Sequence, residues 1–163
     1  MIGMIFLKTG GMNFMSVKRL PHFEGCIVCG QKNPFGLKIP FFFDEEKKTV
    51  FADIIFEKHF IGYDNIIHGG IITTVLDESM AWINIEITLR MALTKTIRVN
   101  FLKPVKVDIK YRVESYIKER NDNKSLTYAC LKDPEGHICA ESEGEFILMS
   151  ELRSKKMKEG LTF

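Results

Sequence analysis

The residues best placed to do chemistry stand on one stretch, His68-Gly69-Gly70-Ile71-Ile72-Thr73-Thr74-Val75-Leu76-Asp77-Glu78-Ser79-Met80-Ala81-Trp82. Glycines at the start of a helix let a substrate oxygen approach backbone N–H groups that have no partner inside the helix. The partial positive charge of a helix N-terminus favours negative charge developing there. The chemistry that uses such a group is stabilisation of the oxyanion formed when a carbonyl is attacked. Asp77 would supply the other half, as general base on water or as nucleophile. Gly70 and Asp77 are seven residues apart, close to two helical turns, so both point to nearly one face. They are also about 10 Å apart along the axis, whereas a base must come within about 3 Å of the group it serves. Side chains leaning toward the helix N-terminus recover only a few ångström of that distance. One helix therefore does not offer both groups to one carbonyl. Two antiparallel copies do, with Gly70 of one chain facing Asp77 of the other, so the spacing predicts a homodimer with paired composite sites.

Two neighbours of these residues carry weaker signals. Glu78 follows Asp77 directly and points about 100° away from it on a helix. His68 precedes the glycines and could orient the loop or touch a substrate. The plain alternative is a helix whose glycines only permit close packing, with Asp77 and Glu78 at an exposed edge.

Stepping outward, the stretch is apolar on nearly every side and continues through Ile83, Ile85, Ile87 and Leu89, which predicts a buried central helix ending near Arg90. Before it, Leu37–Phe43 and Thr49–Phe56 read as the arms of a hairpin around the charged turn Asp44-Glu45-Glu46-Lys47-Lys48, and 57–67 as a loop containing Gly62. After it, Thr94–Leu102, Lys106–Lys118 and Ile138–Leu148 alternate as half-buried strands, and Lys124–Lys132 reads as a strand between two turns. One apolar helix accompanied by about six strands can be buried only if the sheet curls around it. The expected class is thus α+β, a long central helix wrapped by a curved antiparallel sheet. The expected domain runs over 21–150, with an N-terminal tail at 1–20 and a charged, frayed helical tail at 151–163.

At 163 residues the chain is long enough for one good core, and 45% hydrophobic with 27% charged residues is the balance of a water-soluble domain. A net charge of +2 gives no bulk pull toward nucleic acid or membrane. The apolar patch Met4-Ile5-Phe6-Leu7 is too short for a span or a signal peptide, and Met12 and Met15 could be alternative starts. A reducing cytoplasm is expected, with Cys26, Cys29, Cys130 and Cys139 as free thiols. Cys26-x-x-Cys29 alone could suggest zinc, but a structural site needs four ligands. No second C-x-x-C or H-x-x-x-H exists, His22 is a weak further candidate, and Cys130 and Cys139 flank a hairpin turn. A tight turn in a Gly- and Pro-rich segment explains the pair without metal.

His-Gly-Gly followed by Asp77 and then Glu78-x-Met80-Ala81 resembles the hotdog-fold acyl-CoA thioesterases. Within them it is most similar to the phenylacetate-pathway-like (PaaI-like) branch with its H-G-G-x-x-x-x-x-x-D motif. Cys26-x-x-Cys29-Gly30-x-x-Asn33-Pro34-x-Gly36-Leu37 resembles a subgroup of that branch, as do Gly62-Tyr63 and the strand from Thr94-x-Thr96 to Phe101-x-x-Pro104-Val105. The resemblance spans about residues 24 to 148 and implies a six-stranded sheet around one helix, in dimers or tetramers with active sites between subunits. It implies hydrolysis of an acyl-CoA thioester to a free acid and coenzyme A, which is part of the substrate, with no metal or other cofactor. It puts Gly69 and Gly70 in the oxyanion-donor loop and Asp77 on the catalytic carboxylate. Thr94 best matches a hydroxyl that helps place water, with Thr96 next. The family's Asn several residues before the histidine is matched only by Asn65, three before it, with Gly62 at six. Candidate substrate contacts are His68, Asn65, Glu78, Thr96, Arg98 and Lys103, the last two from a basic run that could meet coenzyme A phosphates. Met80 and Trp82 could line an acyl pocket or simply fill the core. The competing function is an acyl-CoA-binding or sensing hotdog protein without turnover.

Overall fold

The computed structural model describes residues 16–163, so the expected tail through Met15, with its short apolar patch and alternative starts, lies outside the described residues. The chain runs β1 (Val17–Arg19), β2 (His22–Phe23), β3 (Phe42–Asp44), β4 (Thr49–Ile55), a single 3-10 turn, β5 (Ile61–Tyr63), β6 (Ile66–Ile67) and α1 (Gly69–Thr88). It continues through β7 (Ala92–Phe101), β8 (Lys110–Arg120), β9 (Lys124–Lys132), β10 (Ile138–Leu148), α2 (Glu151–Lys158) and β11 (Leu161–Thr162). One seven-stranded sheet has the order β1-β3-β4-β8-β9-β10-β7, and every pairing in it is antiparallel.

The helix α1 packs against β4, β7, β8, β9 and β10, the burial that its apolar surface requires. Ile72, Val75, Leu76, Met80 and Ile83 recur at helical spacing and are at most 3% exposed. Trp82 and Ile85 bury a further side, which is why no amphipathic stripe marks this helix in the sequence. Its C-terminus closes on Leu89, which takes a left-handed conformation and donates its N–H to Ile85 O.

Buried polar groups fix how the helix sits on the sheet. Asn84, wholly buried, donates to Met80 O and to Thr127 Oγ1 on β9, both at 2.9 Å, and accepts from Ser125 Oγ. Ser115 Oγ on β8 donates to Ser79 O at 2.8 Å. Paired in this way the groups specify one axial position, because any slide of the helix would leave buried polar atoms unsatisfied.

The structure differs from the sequence expectation at two strand starts and at both ends of the described residues. The strand expected over Leu37–Phe43 is confined to Phe42–Asp44, because Lys38 adopts φ 54° and Leu37 and Ile39 bond back to Ile27 O and Val28 O instead. The strand expected from Lys106 begins at Lys110, since Asp108 adopts φ 58° and turns the chain. The segment 151–163 is folded, not a frayed tail. Ser150 caps α2, Ser154 is buried with its hydroxyl accepting from Met91 N at 2.9 Å, and β11 pairs with β2. At the other end Val17–Arg19 is the outermost strand of the sheet, where a tail was expected and which brings the count to seven.

Candidate active site

The glycine end of α1 is built as its residue types dictate, with one departure. His68 is the N-cap, in extended conformation at φ −59° and ψ 132°. Its imidazole Nδ1 accepts the Gly70 N–H at 2.9 Å, and its carbonyl accepts from Ile71 N and Ile72 N. Gly70 was expected to offer its N–H to a substrate oxygen, and in this structure that donor is already bound. The reason is local: a capping side chain satisfies one of the four free N–H groups of a helix start, and an imidazole nitrogen two residues back reaches it. Gly69 N–H has no partner among the described residues and is the donor left open. A carbon added at Gly69 would lie 3.2 Å from Phe101 Cζ, and one at Gly70 3.0 Å from His68 Nδ1.

Two turns along, Asp77 is half-buried, and Thr94 Oγ1 donates to its Oδ1 at 2.7 Å. Burial raises the Asp77 pKa above the ordinary aspartate value and the Thr94 hydrogen bond opposes that rise. Thr94 reaches Asp77 because β7 carries a bulge. Phe146 pairs with Thr94 and the next residue of β10, Glu145, pairs with Thr96, so Lys95 is an extra residue. Plain alternation would put Thr94 and Thr96 on one face. The bulge instead gives Thr94 the register of buried Phe146 and Thr96 the register of Glu145.

The remaining sequence candidates separate. Thr96 lies along a cavity of about 390 Å³ with Glu119, Arg120, Lys124 and Glu145, on the sheet face away from α1. Arg98 is exposed on the same outer face, opposite Glu143. Neither meets Asp77 of its own chain. Asn65 adopts φ 61° in the β5–β6 turn, where its carbonyl accepts from Val107 N. Glu78 turns away from Asp77: its Oε1 accepts from Trp82 Nε1 at 3.0 Å and lies 3.5 Å from Cys26 Sγ. Lys103 does line a cavity at the glycine end, of about 330 Å³, together with Tyr63, Gly69, Ile72, Phe101 and Leu102. Of the other basic residues, Arg90 is spent on the carbonyls of Leu148, Met149 and Asp122, Lys95 pairs with Glu145, and Lys110 and Arg112 pair with Asp53. Met80 is core. The Trp82 link to Glu78 went unread in the sequence, although an i, i+4 Glu–Trp pair on a helix is a visible signal for it.

No curated protein matches the chain. Residues 64–140 match the model of a family described as the Thioesterase superfamily. Among solved structures, a thioesterase superfamily protein is similar over 76% of this chain, at 16% identity and a TM-score of 0.71, and this chain spans 60% of that protein's length. The PaaI protein of the E. coli phenylacetic acid degradation operon is similar over 70% of this chain and 81% of its own, at 11% identity and a TM-score of 0.64. A hypothetical thioesterase of Streptococcus pneumoniae TIGR4, solved with coenzyme A, is similar over 63% of this chain and 79% of its own, at 16% identity and a TM-score of 0.60. Likenesses at these identities are likenesses of fold. The segment that matches the family model comprises the helix and the strands laid over it, which are also the heart of the shared architecture, and the fold of this domain is the hotdog fold.

Proposed function

We propose that the chain is a PaaI-like acyl-CoA thioesterase, a homodimer whose sites each combine the glycine end of one helix with Asp77 of the other. A dimer of dimers is the larger assembly compatible with this. Water held by Thr94 and Asp77 attacks the thioester carbonyl carbon while its proton passes to the Asp77 carboxylate. Gly69 N–H receives the developing oxyanion. The tetrahedral intermediate then collapses with cleavage of the C–S bond, the free acid forms, and the coenzyme A sulfur leaves with the proton returned from Asp77. Lys103, which lines the apolar cavity and lies 3.9 Å from Asp133 Oδ2, is the cation this reading assigns to a coenzyme A phosphate. Four free thiols suit a reducing compartment, and no described helix is long and apolar enough to cross a membrane.

The observation that carries this reading is the Thr94–Asp77 pair at 2.7 Å on the helix that begins with His68-Gly69-Gly70. A hydroxyl donating to a half-buried carboxylate leaves the second carboxylate oxygen for a water, the arrangement a general base needs. The support for a composite site is that the cavity lining includes Gly69 but not Asp77. One observation favours the second reading, an acyl-CoA-binding protein without turnover: His68 occupies the Gly70 donor.

Turnover of short, long and aryl acyl-CoA thioesters by the wild type and by Asp77→Asn tests the proposal. The expected result is hydrolysis of at least one class, with kcat reduced about 100- to 10,000-fold in the variant and its melting temperature preserved. Near-normal turnover in Asp77→Asn overturns the assignment of the base. Tight binding with no turnover across the panel establishes the second reading.

A further inference from the structure

The thioester chemistry leaves Glu78 unused, and its surroundings are unusual. Cys26 and Cys29 stand in a C-x-x-C turn in the segment laid over α1. The N–H groups of Val28 and Cys29 converge on Cys26 Sγ at 3.3 and 3.5 Å. A carbon added at the following Gly30 would lie 2.4 Å from Glu24 O and 2.5 Å from Cys26 O, so glycine alone closes this turn. A neutral thiol is a weak acceptor, and a sulfur approached by two N–H groups is arranged to carry negative charge.

The two sulfurs and one Glu78 carboxylate oxygen lie within 4.8 Å of one another. The Cys26–Glu78 edge of this triangle is 3.5 Å. A sulfur and an oxygen on one tetrahedral zinc, at bond lengths of about 2.3 and 2.1 Å, are about 3.6 Å apart. Trp82 Nε1 donates to the same carboxylate oxygen, the kind of outer hydrogen bond that fixes a ligating carboxylate. Cys130 and Cys139 are buried on the sheet side and lie outside this group. Cys26 is partly exposed, which leaves solvent access on one side of the triangle.

We propose that Cys26, Cys29 and Glu78 bind one zinc ion, with water as the fourth ligand, and so clip the segment from 20 to 40 onto α1 one residue beyond Asp77. The spacing C-x-x-C is that of zinc-binding turns, and the third ligand that the sequence could not supply comes from the helix.

The full chain, produced without a histidine tag or chelator, is measured for metal content, and its metal-free form is titrated with zinc and with cobalt(II). The expected outcome is about one zinc per chain, as the three-ligand site with water requires. Cobalt then gives sulfur-to-metal charge-transfer absorption with visible bands of four-coordinate intensity, and quenches Trp82, the single tryptophan. Cys26→Ser loses the charge-transfer band of that sulfur. Glu78→Gln, which keeps both thiols and the fold, weakens zinc binding about tenfold or more. A cobalt spectrum without sulfur charge transfer, or thiols that react with an alkylating reagent at the same rate with and without zinc, overturns the proposal. Wild type and Glu78→Gln decide the matter even if Cys26→Ser does not fold, and neither readout depends on thioester turnover.

Discussion

Asp77 and Thr94 carry opposite influences on one carboxyl group, and that makes their contributions separable. Burial raises the Asp77 pKa and the Thr94 hydroxyl lowers it. In the proposed mechanism the base works ionised, so kcat/KM should rise with pH through the Asp77 pKa. In Thr94→Val the only lowering influence is gone, and the acid limb of the profile moves to higher pH. At a fixed pH near neutrality kcat/KM falls about tenfold, the worth of one hydrogen bond to a charged group. Thr94→Ser keeps the hydroxyl and holds the limb near its wild-type position. A pH–rate profile of the three proteins checks this, and a Thr94→Val limb that stays in place refutes the pairing. The same sign governs stability: a carboxyl whose folded pKa is raised favours the folded state when protonated, so its contribution is lost as pH rises through that pKa. Residue type and position singled out Asp77, the family resemblance singled out Thr94, and the hydrogen bond between them is what the structure adds. What alternation could not separate was Thr94 from Thr96, because a bulge at Lys95 has no glycine or proline to announce it. The His68 bond to Gly70 N–H was hidden for a similar reason, since histidine is not a usual cap.

At the scale of elements, legibility followed the hydrophobic pattern. The bounds of β9 and β10 were readable to the residue, β10 from its alternation and β9 from the turns Asn121-Asp122-Asn123 and Asp133-Pro134-Glu135-Gly136 that flank it. Strand starts failed where Lys38 and Asp108 take left-handed conformations, which in residues other than glycine leave no mark on composition. The C-terminal segment failed for the opposite reason. The helix α2 buries only Ser154 and leaves Leu152 and Met157 exposed, so it is held by polar bonds: Ser154 Oγ accepts from Met91 N, and Lys158 Nζ donates to Leu89 O at 2.8 Å. These bonds seal the exit of α1 just after its left-handed C-cap. Ser154→Ala leaves Met91 N–H buried without a partner, and such a group costs about 1–3 kcal/mol. Urea denaturation should show a lower midpoint at unchanged slope. A midpoint equal to the wild type would mean that α2 is a decoration and not a seal.

At the scale of the whole molecule the central question is whether one chain suffices. The strand β7 ends the sheet, and its free edge presents Leu93 and Phe101 at 50% and 54% exposure. A long exposed edge of this kind invites a partner strand. The helix axis separates Gly69 from Asp77 by about 12 Å at 1.5 Å per residue, so a second chain would complete each site. Genetic complementation between subunits tests this directly. Gly69→Pro removes the open N–H at the first helical position, where proline is favoured. The extended His68 suits a following proline, and the half-exposed Phe101 ring can yield the few tenths of an ångström required. The variant should fold and lose about 100- to 1,000-fold in kcat, the loss expected for one oxyanion donor. Asp77→Asn carries the complementary lesion. Refolded together in equal amounts, the two inactive chains place one wild-type glycine end against one wild-type Asp77 in every mixed dimer. Random assortment then restores about one quarter of the wild-type activity, since half the dimers are mixed and one of two sites in each is intact. Sites contained within single chains would gain nothing from mixing, because every chain would still hold one lesion.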